Sequence, residues 1–409
     1  MDRDDAHSPA LARVARGNLC SGCGGCALAA PGKVAMEMRA PGFLRPVQHA
    51  ALSDGEEARV ARICPGLGQE VDAAGRRDDT LWGPFLEMRA GHATDERLRH
   101  VAASGGALSA VLVHLVASGA VEGVVQTSAA PAPPVANTAV LSRTPGEIAA
   151  AAGSRYAPSA PLAGLEPHLA AGRPLAFVGK PCDVAALRAL AGMDSRVDAA
   201  FPVMVSFFCA GVPSESGARE VLTALDVAPE EVTAFRYRGH GWPGRATARL
   251  ADGTERSMSY HDSWGGILSR HVQHRCKICA DGTGKAADLV CADAWEVDDR
   301  GDPLFEERPG ISLLVARTRA GARMMADAES VGRITTRPFD PDGLAAIQPG
   351  QRERRRALLA RLMALRLTGR PAPRYRGLHL AAAARQNPPR RNLKNFLGML
   401  QRVLRGHVT

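Results

Sequence analysis

The stretch RCKICADGTGKAADLVCADAW, residues 275–295, joins two closely spaced cysteines to a glycine-rich turn and a short apolar strand. Cys276 and Cys279 are separated by two residues, so one turn can present both thiolates to the same metal centre. Two thiolates supply only half of the ligands of such a centre, and the others must come from elsewhere in the chain. Cys291 lies inside the apolar strand, which predicts a buried side chain rather than a ligand.

A second group of cysteines lies near the N-terminus. The segment CSGCGGC contains Cys20, Cys23 and Cys26, and Cys64 follows directly before Pro65. Three cysteines within seven residues, followed by a Cys-Pro pair, are typical of a four-iron cluster in ferredoxin-like sites. A structural zinc knuckle is the alternative, which is less favoured because zinc fingers usually pair CxxC groups that lie further apart.

Two further cysteines each end an apolar strand and precede a helix. Cys182 lies in FVGKPC and Cys209 in FFCAGVPS. Functional groups in α/β proteins collect at the carboxyl ends of strands, and a thiol at a helix N-terminus has a lowered pKa. If these strands are neighbours, both thiols join Cys276 and Cys279 in a second set of four. A buried structural cysteine is the alternative for each.

Three segments suggest binding of an anion. The glycine-rich turn at Ser104, Gly105 and Gly106 opens a helix whose free N–H groups can hold a phosphate, although Ser104 can equally be a simple N-cap. Ser154 and Arg155 form a possible phosphate contact, with a surface arginine as the alternative. The strand alternation FRYRG places two arginines on one face, where they could bind phosphates or be solvated.

The composition predicts a globular, cytoplasmic protein of two or three modest domains. The 409 residues are 45% hydrophobic and 23% charged, with no apolar run of membrane-spanning length and no secretory h-region at the N-terminus. Nine cysteines in such a compartment favour metal binding or redox chemistry over disulfides. The net charge of +9 comes from residues 351–409, where basic residues far outnumber the one acidic residue, Glu353.

The order of these patterns predicts an α/β (mixed α+β) fold in three regions. Residues 1–80 form a small ferredoxin-like iron–sulfur region, residues 81–335 a central α/β domain with a mixed sheet, and residues 336–409 a basic helical extension. We also expect a helix over 264–274. In the extension, an amphipathic helix over 393–404 is expected to carry one apolar face, formed by Leu393, Phe396, Leu397, Leu400 and Leu404.

The chain resembles the beta subunit family of the coenzyme F420 hydrogenases and dehydrogenases over roughly residues 15–350. The resemblance rests on six segments in order: CSGCGGC, ASGGALSAVL, FVGKPCDVAALR, FFCAGVPS, FRYRGHGWPG and RCKICADGTGKAADLVCADAW. The family is also similar to the vinyl and hydroxymethyl chlorophyll reductases. The resemblance implies FAD, one or two [4Fe-4S] clusters, and electron transfer between a one-electron carrier and a two-electron substrate.

The resemblance further implies which residues surround FAD. The implied cofactor-binding residues are Ser104, Gly105, Gly106, Ser154, Arg155, Lys180, Pro181, Arg236, Arg238, Gly239, Trp242, Asp281, Gly282, Thr283 and Gly284. Two positions depart from the usual family pattern, namely Lys180 and Cys291. His240, His261 and Asp293 are candidates for the acid that protonates the product, and the sequence does not rank them.

Together with the cysteine patterns, the resemblance implies an FAD- and [4Fe-4S]-dependent oxidoreductase in which both cysteine sets bind clusters. Cys182 could instead be a reactive thiol near the flavin. The substrate could be a deazaflavin, a tetrapyrrole or another molecule, and the basic extension favours an acidic electron carrier such as a ferredoxin over a membrane surface.

Two other classes of function remain open. The first is a non-catalytic electron-transfer subunit of a larger hydrogenase- or dehydrogenase-type complex. The second is a zinc-bound nucleic-acid module, which the basic extension suggests. Only 4% of the residues are aromatic, which argues against binding of single-stranded nucleic acid by stacking, so no nucleic-acid partner is expected.

Overall fold

The N-terminal region of the computed structural model wraps its cysteine loop in short helices and a hairpin. The structure describes residues 7–295, 304 and 306–406. A capping box at Ser53 and Glu56 fixes the start of the third helix. The elements of this region are α1 (Pro9–Arg16), α2 (Gly25–Ala29), β1 (Val34–Arg39), β2 (Phe43–Gln48), α3 (Asp54–Ile63) and β3 (Gly68–Glu70).

The central region begins with strands and helices that alternate. Val178 and its neighbours form near-continuous apolar runs, as expected for strands that are buried on both faces. The elements of the first half are β4 (Arg77–Asp79), β5 (Gly83–Phe85), β6 (Glu87–Ala93), α4 (Glu96–Val101), α5 (Ala107–Ala117), β7 (Val124–Ala129), β8 (Asn137–Ser142), α6 (Pro145–Ala150), α7 (Glu166–Ala171), β9 (Ala176–Gly179) and α8 (Pro181–Ala191).

The second half of the central region adds a small antiparallel sheet and the remaining strands of the large one. Its elements are α9 (Arg196–Ala200), β10 (Val203–Phe207), α10 (Glu215–Ala224), β11 (Val232–Arg236), β12 (Arg245–Leu250), β13 (Glu255–Ser259), α11 (His274–Lys277), β14 (Leu289–Asp293), β15 (Ser312–Ala316), α12 (Arg319–Ser330) and β16 (Ile334–Pro338).

An eight-stranded mixed sheet organises the central region. Its strand order is β16-β6-β15-β14-β10-β9-β7-β8. The four strands β14, β10, β9 and β7 are parallel to one another. Each of the flanking strands β15, β6, β16 and β8 pairs antiparallel with its neighbour in the sheet. The predicted mixed α/β fold is therefore confirmed for this sheet. Buried apolar side chains pack against both of its faces, with α5 and α12 among the elements on one face.

The predicted helix over 264–274 is confirmed only in part, because most of the range is helical but it is not one regular α-helix. A π-helical turn over His261–Ile267 and a 3-10 turn over Leu268–His271 occupy most of that range, and α11 begins at His274. Gly265 and Gly266 are adjacent there, and glycine disfavours a regular α-helix because it loses more backbone entropy than other residues.

The C-terminal extension packs against the rest of the protein. Its strand β17 pairs in parallel with β3, at Arg374 and Gly68 among other positions. The elements are α13 (Leu344–Ile347), α14 (Pro349–Leu367), β17 (Arg374–Arg376), α15 (Leu380–Arg385) and α16 (Pro389–Leu404). In the part of the chain that the structure describes, no helix has the length and apolar character needed to cross a bilayer.

The packed face of α16 differs from the predicted one. Met399 is fully buried, and Phe396 and Leu400 pack partly against the same apolar cluster. Leu393 and Leu397, in contrast, are 58% and 51% exposed. The predicted amphipathic helix is therefore confirmed, but only Phe396 and Leu400 of its predicted apolar face pack, because the helix is turned so that Met399 lies at the centre of the contact.

Candidate functional site

The N-terminal cysteines converge on one buried pocket of thiols. Cys20 and Cys23 lie in the loop before α2, Cys26 lies in α2, and Cys64 is the C-cap of α3. The loop curls through Gly24, whose φ is +83° and where an added Cβ would lie 2.7 Å from the backbone nitrogen of Ala163. Only glycine fits this turn without strain, since positive φ and close packing coincide there.

Backbone N–H groups point at the sulfur atoms of this first set. The N–H groups of Gly22 and Gly25 donate to the Sγ atoms of Cys20 and Cys23, at 3.3 and 3.4 Å. Such donors favour a charged sulfur and are one means by which proteins tune iron–sulfur clusters.

Burial and mutual repulsion make uncompensated thiolates costly in the first set. Burial, Asp183 and Cys64 raise the pKa of Cys23 to about 12. Burial and Cys20 raise the pKa of Cys64 to about 11, and burial followed by the other three thiols raises the pKa of Cys26. Bound metal would reverse this cost because its positive charge stabilises all four thiolates. The donor set therefore fits a four-iron cluster.

Two cysteines of the proposed second set follow neighbouring strands, as the sequence predicts. Ser206 of β10 pairs with Gly179 of β9, so Cys209 and Cys182 follow adjacent parallel strands. Cys276 lies in α11, and the N–H of Cys279 donates to the carbonyl of Cys276 at 3.4 Å.

Besides burial, thiols of the second set raise the pKa of Cys209 and of Cys182, and the pKa of Cys182 is also raised by a thiol of the first set. Burial and then Cys276 raise the pKa of Cys209 to about 12. Burial and Asp183 raise the pKa of Cys182; Lys180 lowers it, and Cys209 and Cys23 raise it further. The two sets are therefore neighbours, with Cys23 and Cys182 at their boundary, and the second donor set also fits a four-iron cluster.

These thiols are not arranged around one ion. Among the described residues, no group of three or more His, Cys, Asp or Glu side chains is placed to hold a single metal ion. A [4Fe-4S] cluster has a different requirement, since each thiolate binds a separate iron of a larger group.

Three side chains of α14 donate hydrogen bonds to the backbone around the second set. This role of α14 was not predicted from the sequence. Gln351 and Arg354 donate to the carbonyl of Cys209 at 2.9 and 3.0 Å, and Arg354 also donates to that of Ala210 at 2.6 Å. Arg361 donates to the carbonyl of Lys277 at 2.8 Å. Their spacing of three and seven residues marks one face of a helix and was the available signal.

A cavity of about 280 Å³ opens beside the second set, at the carboxyl ends of the parallel strands. Strand ends at Thr127, Val178, Phe207 and Cys291 contribute to its wall, which also includes Cys209. Ligands of open α/β sheets bind at this end of the strands. The predicted residues that line it are Ser104, Gly106, Ser154, Arg155, Lys180, Arg238 and Asp293.

Arg238 and Asp293 form a buried pair in the cavity wall. Two hydrogen bonds of 2.8 Å join the guanidinium to both carboxylate oxygens, and Trp242 donates to Oδ1 at 2.9 Å. Arg238 lies over the rings of Tyr260 and Trp295, at 4.8 and 5.3 Å. Burial opposes the charge, but Asp293 raises the pKa of Arg238 above its ordinary value. This corner of the cavity therefore presents a fixed cation and the faces of two aromatic rings. Neither Tyr260 nor Trp295 was predicted from the sequence as a site residue.

Arg155 and Lys180 line the cavity but are held by other groups of the protein. The guanidinium of Arg155 donates to the carbonyls of Phe235, Pro134 and Ala136 at 2.7 to 2.8 Å, so it fixes the wall. Lys180 lies 2.8 Å from Asp183 and 2.7 Å from the Ser159 hydroxyl. Burial lowers the pKa of Lys180, but Asp183 and Cys182 raise it by more than burial lowers it. The pKa therefore lies above its ordinary value, and the amine remains charged.

The two arginines of the FRYRG strand point to different partners. Strand β11 ends at Arg236, which pairs with exposed Glu255 at 3.1 Å and does not line the cavity. The predicted shared face was wrong, because Arg238 lies beyond the strand end and turns inward to Asp293.

Several predicted residues shape the site without lining the cavity. Gly105 has a φ of +63° and packs against Ser312, where an added Cβ would lie 2.8 Å from the backbone nitrogen. Asp281 accepts from the N–H of Thr283 at 3.2 Å, within a buried turn. The others that do not line it are Pro181, Gly239, Trp242, Gly282, Thr283, Gly284, His240 and His261.

Comparison with known protein families identifies the family to which the chain belongs. A family model for the C-terminal part of the "Coenzyme F420 hydrogenase/dehydrogenase, beta subunit" matches residues 172–342, and the corresponding N-terminal model matches residues 88–166. The two ranges together span more than half of the chain. The chain belongs to this family.

Relatives of the F420 hydrogenase/dehydrogenase beta subunit family align over part of the chain. The beta subunit of F420-dependent formate dehydrogenase 1 from Methanococcus maripaludis is 24% identical over 262 residues, which is 63% of each protein. A chain of the F420-reducing [NiFe] hydrogenase complex from Methanosarcina barkeri, in a xenon-derivatised structure, superposes with a TM-score of 0.54 at 19% identity. That match covers 68% of this chain and 91% of the other, and it shows a shared fold.

The family models cover one cysteine set and leave out the other. Cys182, Cys209, Cys276 and Cys279 lie within the range of the C-terminal family model. The first set and helices α14 to α16 lie outside both ranges. In this F420 hydrogenase/dehydrogenase family member, the N-terminal thiols and the C-terminal extension thus lie outside the part that the family models match. The extension packs against the region that holds these thiols.

Proposed function

We propose that this protein is an iron–sulfur flavoprotein oxidoreductase that relays electrons between a one-electron carrier and FAD. Two-electron reduction or oxidation of a substrate would then take place at the cavity. The observation that supports this most strongly is the contiguity of the sites. Gln273 donates to the carbonyl of Ser21 beside the first set and to the Sγ of Cys276 in the second, and Cys209 of the second set lines the cavity.

The two cysteine sets are proposed to hold one [4Fe-4S] cluster each. Each set offers four free cysteines, and burial of these thiols raises the pKa of most of them. The clusters would supply one-electron storage, while the protein fixes their spacing and sets their potentials through burial and hydrogen bonds to sulfur.

The cavity is proposed to hold FAD. When bound, FAD can take up single electrons and exchange a hydride with a substrate. The turn at Ser104 and Gly106 opens α5, whose N-terminal N–H groups suit a phosphate. The aromatic faces of Tyr260 and Trp295 suit a planar ring system.

Of the three candidate acids, Asp293 is the one that lines the cavity. Because it forms two hydrogen bonds with Arg238, we propose that it orients the guanidinium toward the bound molecules. His240 and His261 lie away from the cavity wall, and a role for either would require the substrate to extend toward it.

An acidic electron carrier such as a ferredoxin is the proposed partner, and α16 offers the surface for it. Leu393, Leu397 and Leu404 are exposed and alternate with basic residues including Lys394. The opposite side of α16 packs in the apolar cluster that contains Cys20. The same cluster contains Ile278 and Ala280, which flank Cys279, so a carrier bound there would lie near both cysteine sets.

A non-catalytic electron-transfer subunit of a larger complex is the second candidate function. The matched relative is named as a subunit of a formate dehydrogenase, and the matched structure is a hydrogenase complex. Turnover of a substrate by the isolated chain with a chemical reductant would exclude this candidate.

The proposed function is tested by the metal and flavin content of protein purified without oxygen, together with its visible spectrum. We expect about eight irons per chain for two clusters, and one flavin. About four irons would leave one cysteine set with a different role. Zinc without flavin would contradict the oxidoreductase function.

A further inference from the structure

Arg275 lies between the two cysteine sets. It directly precedes Cys276 of the second set and is 1% exposed. Its Nη2 donates to the carbonyl of Pro65 at 2.7 Å, and Pro65 directly follows Cys64 of the first set. One side chain therefore connects the backbone segments that carry both sets.

The guanidinium of Arg275 is left partly unsatisfied by the protein. Its Nε and Nη1 atoms are buried and have no hydrogen-bond partner among the described residues. Among the residues that the structure describes, no carboxylate forms an ion pair with Arg275, and its guanidinium carbon lies 5.9 Å from the centroid of the Tyr375 ring. A buried cation with unused donors is costly unless an anion compensates it.

Thiols of both sets interact electrostatically with this guanidinium. Burial would lower the pKa of Arg275, but Tyr375 and then Cys279, Cys182 and Cys276 of the second set raise it. In the first set, Arg275 lowers the pKa of Cys20 and of Cys64 against the larger effect of burial.

A second polar link runs beside this one. Gln273 donates to the carbonyl of Ser21 at 3.2 Å and to the Sγ of Cys276 at 3.5 Å, and Arg45 donates to Gln273 at 3.1 Å. The two cysteine segments are thus joined by two separate polar links, and Arg275 is more deeply buried than Arg45, the cation of the other link.

We propose that Arg275 is a cation shared by both iron–sulfur clusters, which raises the reduction potentials of the two together. The inference rests on the proposed function. Reduction of either cluster adds one electron, with no bond formed and no proton required, and makes that cluster more negative by one charge. A fixed positive charge with free N–H donors between the two sites stabilises both reduced states.

The test is an EPR-monitored redox titration of Arg275→Gln, Arg275→Lys and the unaltered protein, each purified without oxygen. Arg275→Gln should lower the equilibrium constant for reduction of each cluster about tenfold, which is about 59 mV for one electron. Arg275→Lys keeps the charge but loses the planar set of donors, so both potentials should fall by less.

Arg317→Gln provides a matched control. Arg317 is also fully buried and donates to the carbonyls of Trp82 and Pro84, while the charged groups that shift its pKa, Asp281 and Arg76, include no cysteine. The cluster potentials of this variant should not move.

Each outcome bears on the inference. Full iron content with unmoved potentials in Arg275→Gln, or a shift at one cluster alone, would overturn it. If Arg275→Gln loses its iron, Arg275→Lys decides, since a joint fall of both potentials is still required there. Absence of two clusters from the unaltered protein would instead contradict the proposed function.

Discussion

Cys182 is the residue of the second set whose pKa is also raised by a thiol of the first set. It follows the carboxyl end of β9, and Cys209 and Cys23 both raise its pKa in addition to burial and Asp183. This position suits a cluster ligand at the boundary between two clusters. It also lies near the cavity, since neighbouring Lys180 is part of the wall.

Cys182→Ser should remove the second cluster and leave the first. Loss of one thiolate destabilises a cubane, so iron should fall from about eight to about four per chain. Cys291→Ser is the matched control, because Cys291 is buried in the cavity wall but is not proposed as a ligand. Full iron content in Cys182→Ser would mean that this thiol has another role near the flavin.

Asp293→Asn should weaken flavin binding and destabilise the protein. It leaves the buried guanidinium of Arg238 without its carboxylate partner, a change that typically costs about 3–5 kcal/mol. Flavin content and thermal unfolding of the two proteins measure both effects. Glu255→Gln, which breaks the more exposed pair with Arg236, should cost only about 0–1 kcal/mol. Equal stability of Asp293→Asn and Glu255→Gln would contradict the assigned role of the buried pair.

Helix α14 acts as a clamp on the loops of the second set. Gln351, Arg354 and Arg361 donate to backbone carbonyls within or beside those loops, and Arg354 also lowers the pKa of Cys209 against the effect of burial. The helix thus joins the C-terminal extension to a site that the family models place in the central region.

Arg354→Ala should make the second cluster labile. Loss of two charge-assisted hydrogen bonds to the Cys209 loop should speed release of iron to a chelator by at least about tenfold, since one such bond alone contributes about 1.5–3 kcal/mol. Arg356→Ala is the control on the same helix, since Arg356 donates to Gln386 rather than to a cysteine loop. Identical release rates in the two variants would contradict a clamp.

Local patterns predicted the cysteine sets but not the elements that cover them. The strands before Cys182 and Cys209 could be predicted because apolar runs and turn residues lie next to each other in the sequence. The donors of α14 could not, since Arg354 reaches Cys209 only through tertiary packing. For the same reason Tyr260, beyond the end of β13, gave no sign in the sequence that it would face the cavity.

Across the whole molecule, the basic C-terminal extension adjoins both cysteine sets. The buried side of α16 packs in a cluster that contains Cys20 of the first set and also Ile278 and Ala280, which flank Cys279 of the second. Helix α14 of the same extension donates to the carbonyl of Cys209, which lines the cavity. The proposed relay therefore runs from a carrier on the extension through the two sets to the cavity.

Lys394→Glu should slow electron uptake from an acidic carrier. Reversal of one charge on the exposed face of α16 opposes association, which should lower the bimolecular rate several-fold at low salt and less at high salt. Arg256→Glu, a reversal at an exposed position of β13, serves as the control. Rates that fall equally in both variants would indicate an effect of net charge rather than docking at α16.

The most direct test of the relay is an anaerobic reductive titration that is followed by visible and EPR spectra. Two clusters and one flavin should together take up about four electrons per chain, with one for each cluster and two for the flavin. The EPR signals of the two reduced clusters should also broaden each other, because Cys23 and Cys182 place them side by side. Uptake of about three electrons with a single isolated cluster signal would contradict the account.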